Sequence, residues 1–237
     1  MEQTTNFDDV SIPPGCKVKY IQKMYYGKYI YKLSFEIDKT KLIKNQNQKG
    51  SYSWYSNRFV SYTNKVNLMA TMIDQIKSTI VVDDYRLRAE GFGVGVFTNS
   101  EENVKLLINK LSTRLVEFYR PLNDKHVDVV DKHRKVIVRN SLFEKNFKFK
   151  IYMKYDYNMR ETRYMDVKEF TDNLENGSWD ANYTMKRFWH TQADGRRCGY
   201  TVALYLKDQA DLMMFQLRFN NDIEKIEEAI LLSELRS

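Results

Sequence analysis

The chain has 237 residues, 43% of them hydrophobic and 29% charged, with a net charge of +7. That length suits two domains better than one, and the balance of apolar and charged residues excludes collagen-like and disordered classes. Seventeen Tyr, 13 Phe and 10 Met beside only 3 Pro point to a strand-rich, cationic protein.

No run approaches the roughly 20 apolar residues of a membrane span, so no membrane partner is expected. Met1 to Val10 carries three acids and no base, unlike a secretory signal or a transit peptide. Cys16 and Cys198 are too few for a disulfide framework, which suits a reducing, cytoplasmic location. The charge is uneven. Lys17 to Lys65 holds eleven bases against two acids, Glu36 and Asp38, a local surplus of +9 that exceeds the surplus of the whole chain. Such a segment attracts polyanions, nucleic acid first.

In chain order, Lys28–Asp38 alternates: Tyr29, Tyr31, Leu33, Phe35 and Ile37 on one side, Lys28, Lys32, Ser34 and Glu36 on the other. This period of two predicts a half-buried strand. The stretch 39–64 is a basic insertion holding Tyr52, Trp54, Tyr55, Arg58 and Tyr62, longer than ordinary loops. Leu68, Met72 and Ile76 then predict a helix near Lys65–Ser78, and Gly91 joins two strands, Tyr85–Glu90 and Phe92–Thr98. Ser100, followed by Glu101 and Glu102, opens a helix with a buried stripe of Val104, Leu107, Ile108 and Leu111. Leu115–Tyr119 closes the half as a strand.

Pro121 to Lys135 reads as a polar linker, and then the pattern repeats. Phe147–Asp156 copies the first strand, with Lys148, Lys150, Tyr152 and Lys154 outward. A helix near Asp166–Leu174 and strands at Tyr183–Thr191 and Tyr200–Leu206 follow. A helix opened by Asp208 and a last strand at Ile223–Leu231 complete the second half. Each half therefore predicts strand–helix–strand–strand–helix–strand: an α+β chain of two tandem ferredoxin-like repeats, residues 1–125 and 126–237, with helices on one face of each antiparallel sheet.

The other face is left open. In the first half it presents Lys28, Lys32, Arg86, Arg88 and Phe97 beside Gly93 and Gly95; in the second, Lys150, Tyr152, Lys154, Lys186, Phe188, His190 and Tyr205. Aromatics stack on bases, cations meet phosphates and glycines admit a close backbone, so these residues, with Trp54 and Arg58 of the insertion, are candidates for binding single-stranded RNA or DNA. The competing expectation is that the same aromatics are packed as core, or form contacts with a second copy or another protein. The RRM octapeptide is absent: Gly91–Thr98 reads GFGVGVFT, a strand pattern rather than a phosphate-cradling turn.

Leu204–Phe219, LYLKDQADLMMFQLRF, resembles a strand-to-helix segment of uncharacterised tailed-phage proteins. The resemblance covers this one segment and implies a phage or viral origin, a host-cytoplasmic setting and a viral protein as a partner, with no catalytic residue.

Enzyme chemistry finds little to work with. HVDVVDKH at 126–133 places His126 and His133 among aspartates but lacks zinc-ligand spacing and Cys partners. Asp38, Asp83 and Asp84 do not fall at adjacent strand ends as a two-metal site needs. No Walker A, G-x-S-x-G or Cys–His arrangement is present. A non-catalytic protein without metal or cofactor is the expectation, either a nucleic-acid binder or a structural or assembly protein.

Overall fold

The computed structural model describes residues 10–37, 54–132, 135–154, 161–190 and 201–236, without the side chains of 54–64, 161–162 and 190. The chain divides into two compact units, Met1–Asp131 and Lys132–Ser237. Each is built on the ferredoxin-like order.

The first unit runs β1 (Lys17–Tyr20), β2 (Tyr31–Glu36), α1 (Trp54–Lys77), β3 (Tyr85–Glu90), β4 (Gly93–Thr98), α2 (Glu101–Leu111), β5 (Leu115–Arg120) and α3 (Asp124–Lys132). Its sheet has the strand order β1-β5-β2-β4-β3. The second unit runs β6 (Val136–Arg139), β7 (Phe149–Met153), α4 (Glu161–Asp172), β8 (Trp179–Ala181), α5 (Tyr183–His190), β9 (Val202–Leu206), α6 (Gln209–Phe219) and β10 (Ile223–Leu231). Its sheet order is β6-β10-β7-β9-β8. All four antiparallel strands of the first sheet and three of the second, β7, β9 and β10, are the expected ones. The fifth, β1 beside β5 and β6 beside β10, pairs in parallel and was not expected from the alternation pattern.

The alternation in β2 drives the first core. Tyr31, Leu33 and Phe35 are buried against Met72 and Ile76 of α1 and Val104, Leu107 and Ile108 of α2. Removing a ring such as Phe35 from so closed a layer costs about 3–5 kcal/mol. Ser100 Oγ accepts the Asn103 N–H at 3.1 Å, which caps α2 as its sequence suggests. In the second unit Phe149, Ile151 and Met153 meet Val167, Phe170, Phe215 and Phe219 in the same way.

Three expectations change. The helix expected from Lys65 begins at Trp54, so the end of the basic insertion is helical; Tyr52 lies outside the described residues. The expected linker contains α3, because Asn123 Oδ1 accepts the His126 N–H at 2.9 Å and His126 and Val130 bury one helix face. Tyr183–Thr191 is not a strand: residues 183–190 form α5, and Trp179–Ala181 takes the strand place beside β9. Asn182 Oδ1 accepts the Met185 N–H at 3.0 Å as a helix cap, and Met185, Phe188 and Trp189, at helical spacing, pack into the core.

Candidate functional site

The strand registers set the open face of the first unit in rows. One row, crossing from β1 to β3, is Lys19, Tyr119, Lys32, Phe97 and Arg86. The next is Lys17, Glu117, Ser34, Gly95 and Arg88; beyond it Glu36, Gly93 and Glu90 stand side by side.

The first row is roofed by its own chain. Between β1 and β2 the backbone closes a tight turn, with Tyr25 and Tyr29 bridged and Tyr26 and Gly27 both at positive φ (55° and 66°). Successive left-handed residues mark a type I′ geometry, unfavourable for a tyrosine by about 1–2 kcal/mol. Aromatic packing offsets that cost. Tyr25 and Tyr26 sit with ring centroids 5.3 and 4.9 Å from that of Phe97, and Tyr25 lies 6.0 Å from Tyr119. Lys32 Nζ lies 5.5–6.0 Å from the rings of Phe97, Tyr119 and Tyr25 and pairs with Glu90 at 2.8 Å. The cation is held by π faces on one side and a carboxylate on the other.

Phe97 is consequently buried, only 2% exposed. Burial also pushes the Tyr25 hydroxyl well above its ordinary range.

The second unit repeats the device. Lys17–Phe35 aligns with Lys135–Met153 without a gap, and Phe143 and Phe147 form the equivalent bridge with Glu144 and Lys145 at positive φ. Their rings lie 6.3 and 6.1 Å from Tyr205, which occupies the place of Phe97 and is 6% exposed. Lys150, matching Lys32, stands 4.7 Å from the Tyr152 ring and 5.6 Å from that of Tyr205, and burial lowers its pKa.

The units differ in the second row. In the first, Ser34 and Gly93 are small, and a cleft of about 420 Å³ opens over them, while the Glu90 carboxylate lies over the neighbouring Gly95. Lys17, Glu36, Glu90, Phe92 and Glu117 line it. Glu117 is held by Lys19 at 2.5 Å and by the Tyr119 hydroxyl at 2.9 Å, which keeps its carboxyl below the usual range. In the second unit Tyr152 stands where Ser34 does, Ala203 replaces Gly95 and Lys225 replaces Glu117. The Tyr152 hydroxyl donates to the buried Glu227 at 2.8 Å, and Lys225 also pairs with that carboxylate.

Among the expected site residues, Lys32, Arg86, Arg88 and Phe97 share one face of the first unit, and Lys150, Tyr152 and Tyr205 share one face of the second. Phe97 and Tyr205 are covered by the tight turns, so neither is presented as a stacking platform. Lys28, in its turn, pairs with Asp84 at 2.6 Å; Arg86 stacks 3.9 Å over Tyr26. Lys154 Nζ donates to the Asn221 carbonyl at 2.8 Å. Lys186 and Phe188 lie on α5 instead of a strand, the first paired with Asp180 at 2.6 Å and the second stacked 4.7 Å from Tyr164. His190 ends that helix. Trp54 and Arg58 lie on α1, their side chains outside the described residues.

Lys17, Glu90, Phe92 and Glu117 are the contributors that sequence reasoning missed. The glycines alternating with Phe92, Val94 and Val96 were their one visible signal, since bare positions on one strand face leave room above them.

Of the residues weighed for metal chemistry, Asp84 is occupied by Lys28 and Asn99, His126 is buried, and Asp38 and His133 lie outside the described residues. No group of three or more His, Cys, Asp or Glu among the described residues is placed to hold a metal ion. No helix among them is long and apolar enough to cross a membrane. Comparison of the chain with protein-family models, with curated proteins and with solved structures finds no match, so the site is read from its own geometry.

Proposed function

We propose that this chain is a non-catalytic viral or phage protein that holds single-stranded nucleic acid on the open face of its first unit. The observation that carries the reading is the glycine-floored cleft flanked by exposed cations. Lys17 on β1 and Arg88 on β3 lie at opposite ends of the row that contains Ser34 and Gly95, and neither has an ion pair among the described residues. Phe92, half-exposed at the rim with Lys65 Nζ 4.4 Å from its ring, offers an aromatic surface. The +9 surplus of Lys17–Lys65 belongs to the same unit. In this reading phosphates meet the edge cations, and stacking moves from the covered Phe97 and Tyr205 to the rim.

Fluorescence anisotropy with a labelled single strand tests it. Binding should weaken as salt rises, and the double variant Lys17→Ala, Arg88→Ala should reduce the log–log salt slope by about 1–2. No binding at low salt, or a slope the variant leaves alone, overturns the proposal.

A structural or assembly role is the second reading, favoured by α6. Met213, Met214 and Leu217 are exposed on that helix, Leu217 by 87%. An apolar helix face of this kind suits a protein contact. Light scattering coupled to size exclusion decides it: an oligomer that Leu217→Glu dissociates supports this reading, and a monomer at micromolar concentration removes it.

A further inference from the structure

We infer that the cleft of the first unit is a pocket for a single base of the bound strand, and that it favours a base carrying an exocyclic amino group. The inference rests on the nucleic-acid reading above and adds which base chemistry the site selects.

The second unit supplies the template. There the place of Ser34 is taken by Tyr152, a planar ring from the chain itself. Lys150 Nζ lies 4.7 Å and Lys225 Nζ 5.1 Å from that ring, and its hydroxyl donates to Glu227. The fold thus holds a flat ring on this row when the sequence provides one. In the first unit the sequence provides Ser34 instead, with Gly93 one row further on, and about 420 Å³ stays open. That volume lies within the range of small-molecule pockets, about 300–1,000 Å³.

Charge says which ring. Lysines of the second unit become carboxylates in the first: Glu117 stands for Lys225 and Glu36 for Lys154. Phosphate is disfavoured inside such a cleft, and N–H donors are favoured. Glu90 holds Lys32 through Oε2, while Oε1 has no hydrogen bond among the described residues and lies over Gly95, 3.1 Å from where a Cβ would stand. Ser34 Oγ, on the neighbouring strand, is buried without a partner. An acceptor carboxylate oxygen beside an unused hydroxyl suits an amino group next to a ring acceptor, the edge that cytosine presents; a carboxylate accepts readily from cytosine N4. Uracil places a carbonyl oxygen where cytosine has its amino group, and a carboxylate repels it.

The test compares short labelled oligo(C) and oligo(U) on the full chain by anisotropy at neutral pH and fixed salt. Oligo(C) should bind about tenfold more tightly. Glu90→Gln, which keeps the shape and removes the charge, should abolish that preference. Ser34→Tyr, which fills the cleft as the second unit does, should abolish it too, while salt-dependent binding remains. Equal binding of the two strands by the unaltered protein, or a preference that survives Glu90→Gln, overturns this inference and leaves the general reading standing. Failure of both strands to bind overturns the general reading and this inference with it.

Discussion

Gly93 lies against Phe35 so closely that a Cβ on it would overlap the Phe35 carbonyl oxygen, a backbone atom with nowhere to go. Its neighbour on the same face, Gly95, would place a Cβ 3.0 Å from the Glu90 carboxyl carbon, the end of a side chain that can swing aside. Two glycines on one strand therefore answer to different constraints. Gly93→Ala should abolish soluble folding or lower stability by several kcal/mol, on the order of the larger overpacking penalties. Gly95→Ala should remain folded and change the midpoint of urea unfolding little. Equal tolerance of both would contradict the close approach of β4 to β2.

Asn103 is fully buried and ties the entry of β3 to α2. Its Oδ1 accepts the Val81 and Val82 N–H groups at 3.0 and 3.1 Å, and its Nδ2 donates to the Val82 carbonyl at 2.8 Å. Asn103→Ala leaves several polar groups short of partners, and should cost about 2–3 kcal/mol. Thermal denaturation would read this as a midpoint lower by several degrees.

His126 gives the first unit an acid-side weakness. The imidazole is fully buried, and Nδ1 accepts the Leu122 N–H at 3.1 Å, which a protonated Nδ1 cannot do. Burial accordingly holds its pKa below the ordinary value, with the Ile21 backbone opposing in part. An unfolded chain then takes up this proton before the folded one does. Stability from this source is complete above the unfolded histidine pKa of about 6.5 and falls as pH drops below it, toward the lower folded pKa. Urea midpoints at pH 7.5 and 5.5 should differ more for the unaltered protein than for His126→Asn; an identical pH dependence would rule the histidine out as the cause.

Glu227 is 3% exposed and depends on Tyr152 and Lys225 for its hydrogen bonds. Tyr152→Phe keeps the ring and removes one of these bonds to a charged group, so the loss should be about 1.5–3 kcal/mol. Chemical denaturation followed by Trp fluorescence measures it. The same substitution should leave nucleic-acid affinity alone if the first unit carries the site.

Much of the fold could be read from the residues alone. The alternation of Tyr31, Leu33 and Phe35, and of Phe149, Ile151 and Met153, sets each first strand, because a period of two admits one buried face. The stripe of Val104, Leu107 and Ile108 behind the Ser100 cap sets α2 for the same kind of local reason. The α5 segment misled because Tyr, Thr, Phe and Trp favour strands by propensity, while the Asn182 cap and the burial of Met185 and Trp189 favour a helix; tertiary packing prevailed.

Seventeen tyrosines and a charge of +7 stand out in the composition, and the sequence by itself determined that many of these aromatics build two similar sheets. It also located the basic surplus before residue 66. Only the tertiary structure decided what the outward positions do. Whether Phe97 and Tyr205 are presented or roofed depends on turns that reach back across the face from outside the strand pattern, and no periodicity encodes such a contact. Likewise, the space over Ser34 is open in the first unit and filled by Tyr152 in the second, and what surrounds it comes from strands more than fifty positions away, Gly93 opposite Glu36 in the first and Ala203 opposite Tyr152 in the second. Pairing distant residues is the work of the folded chain, and it leaves the first unit with a cleft where the second has a tyrosine.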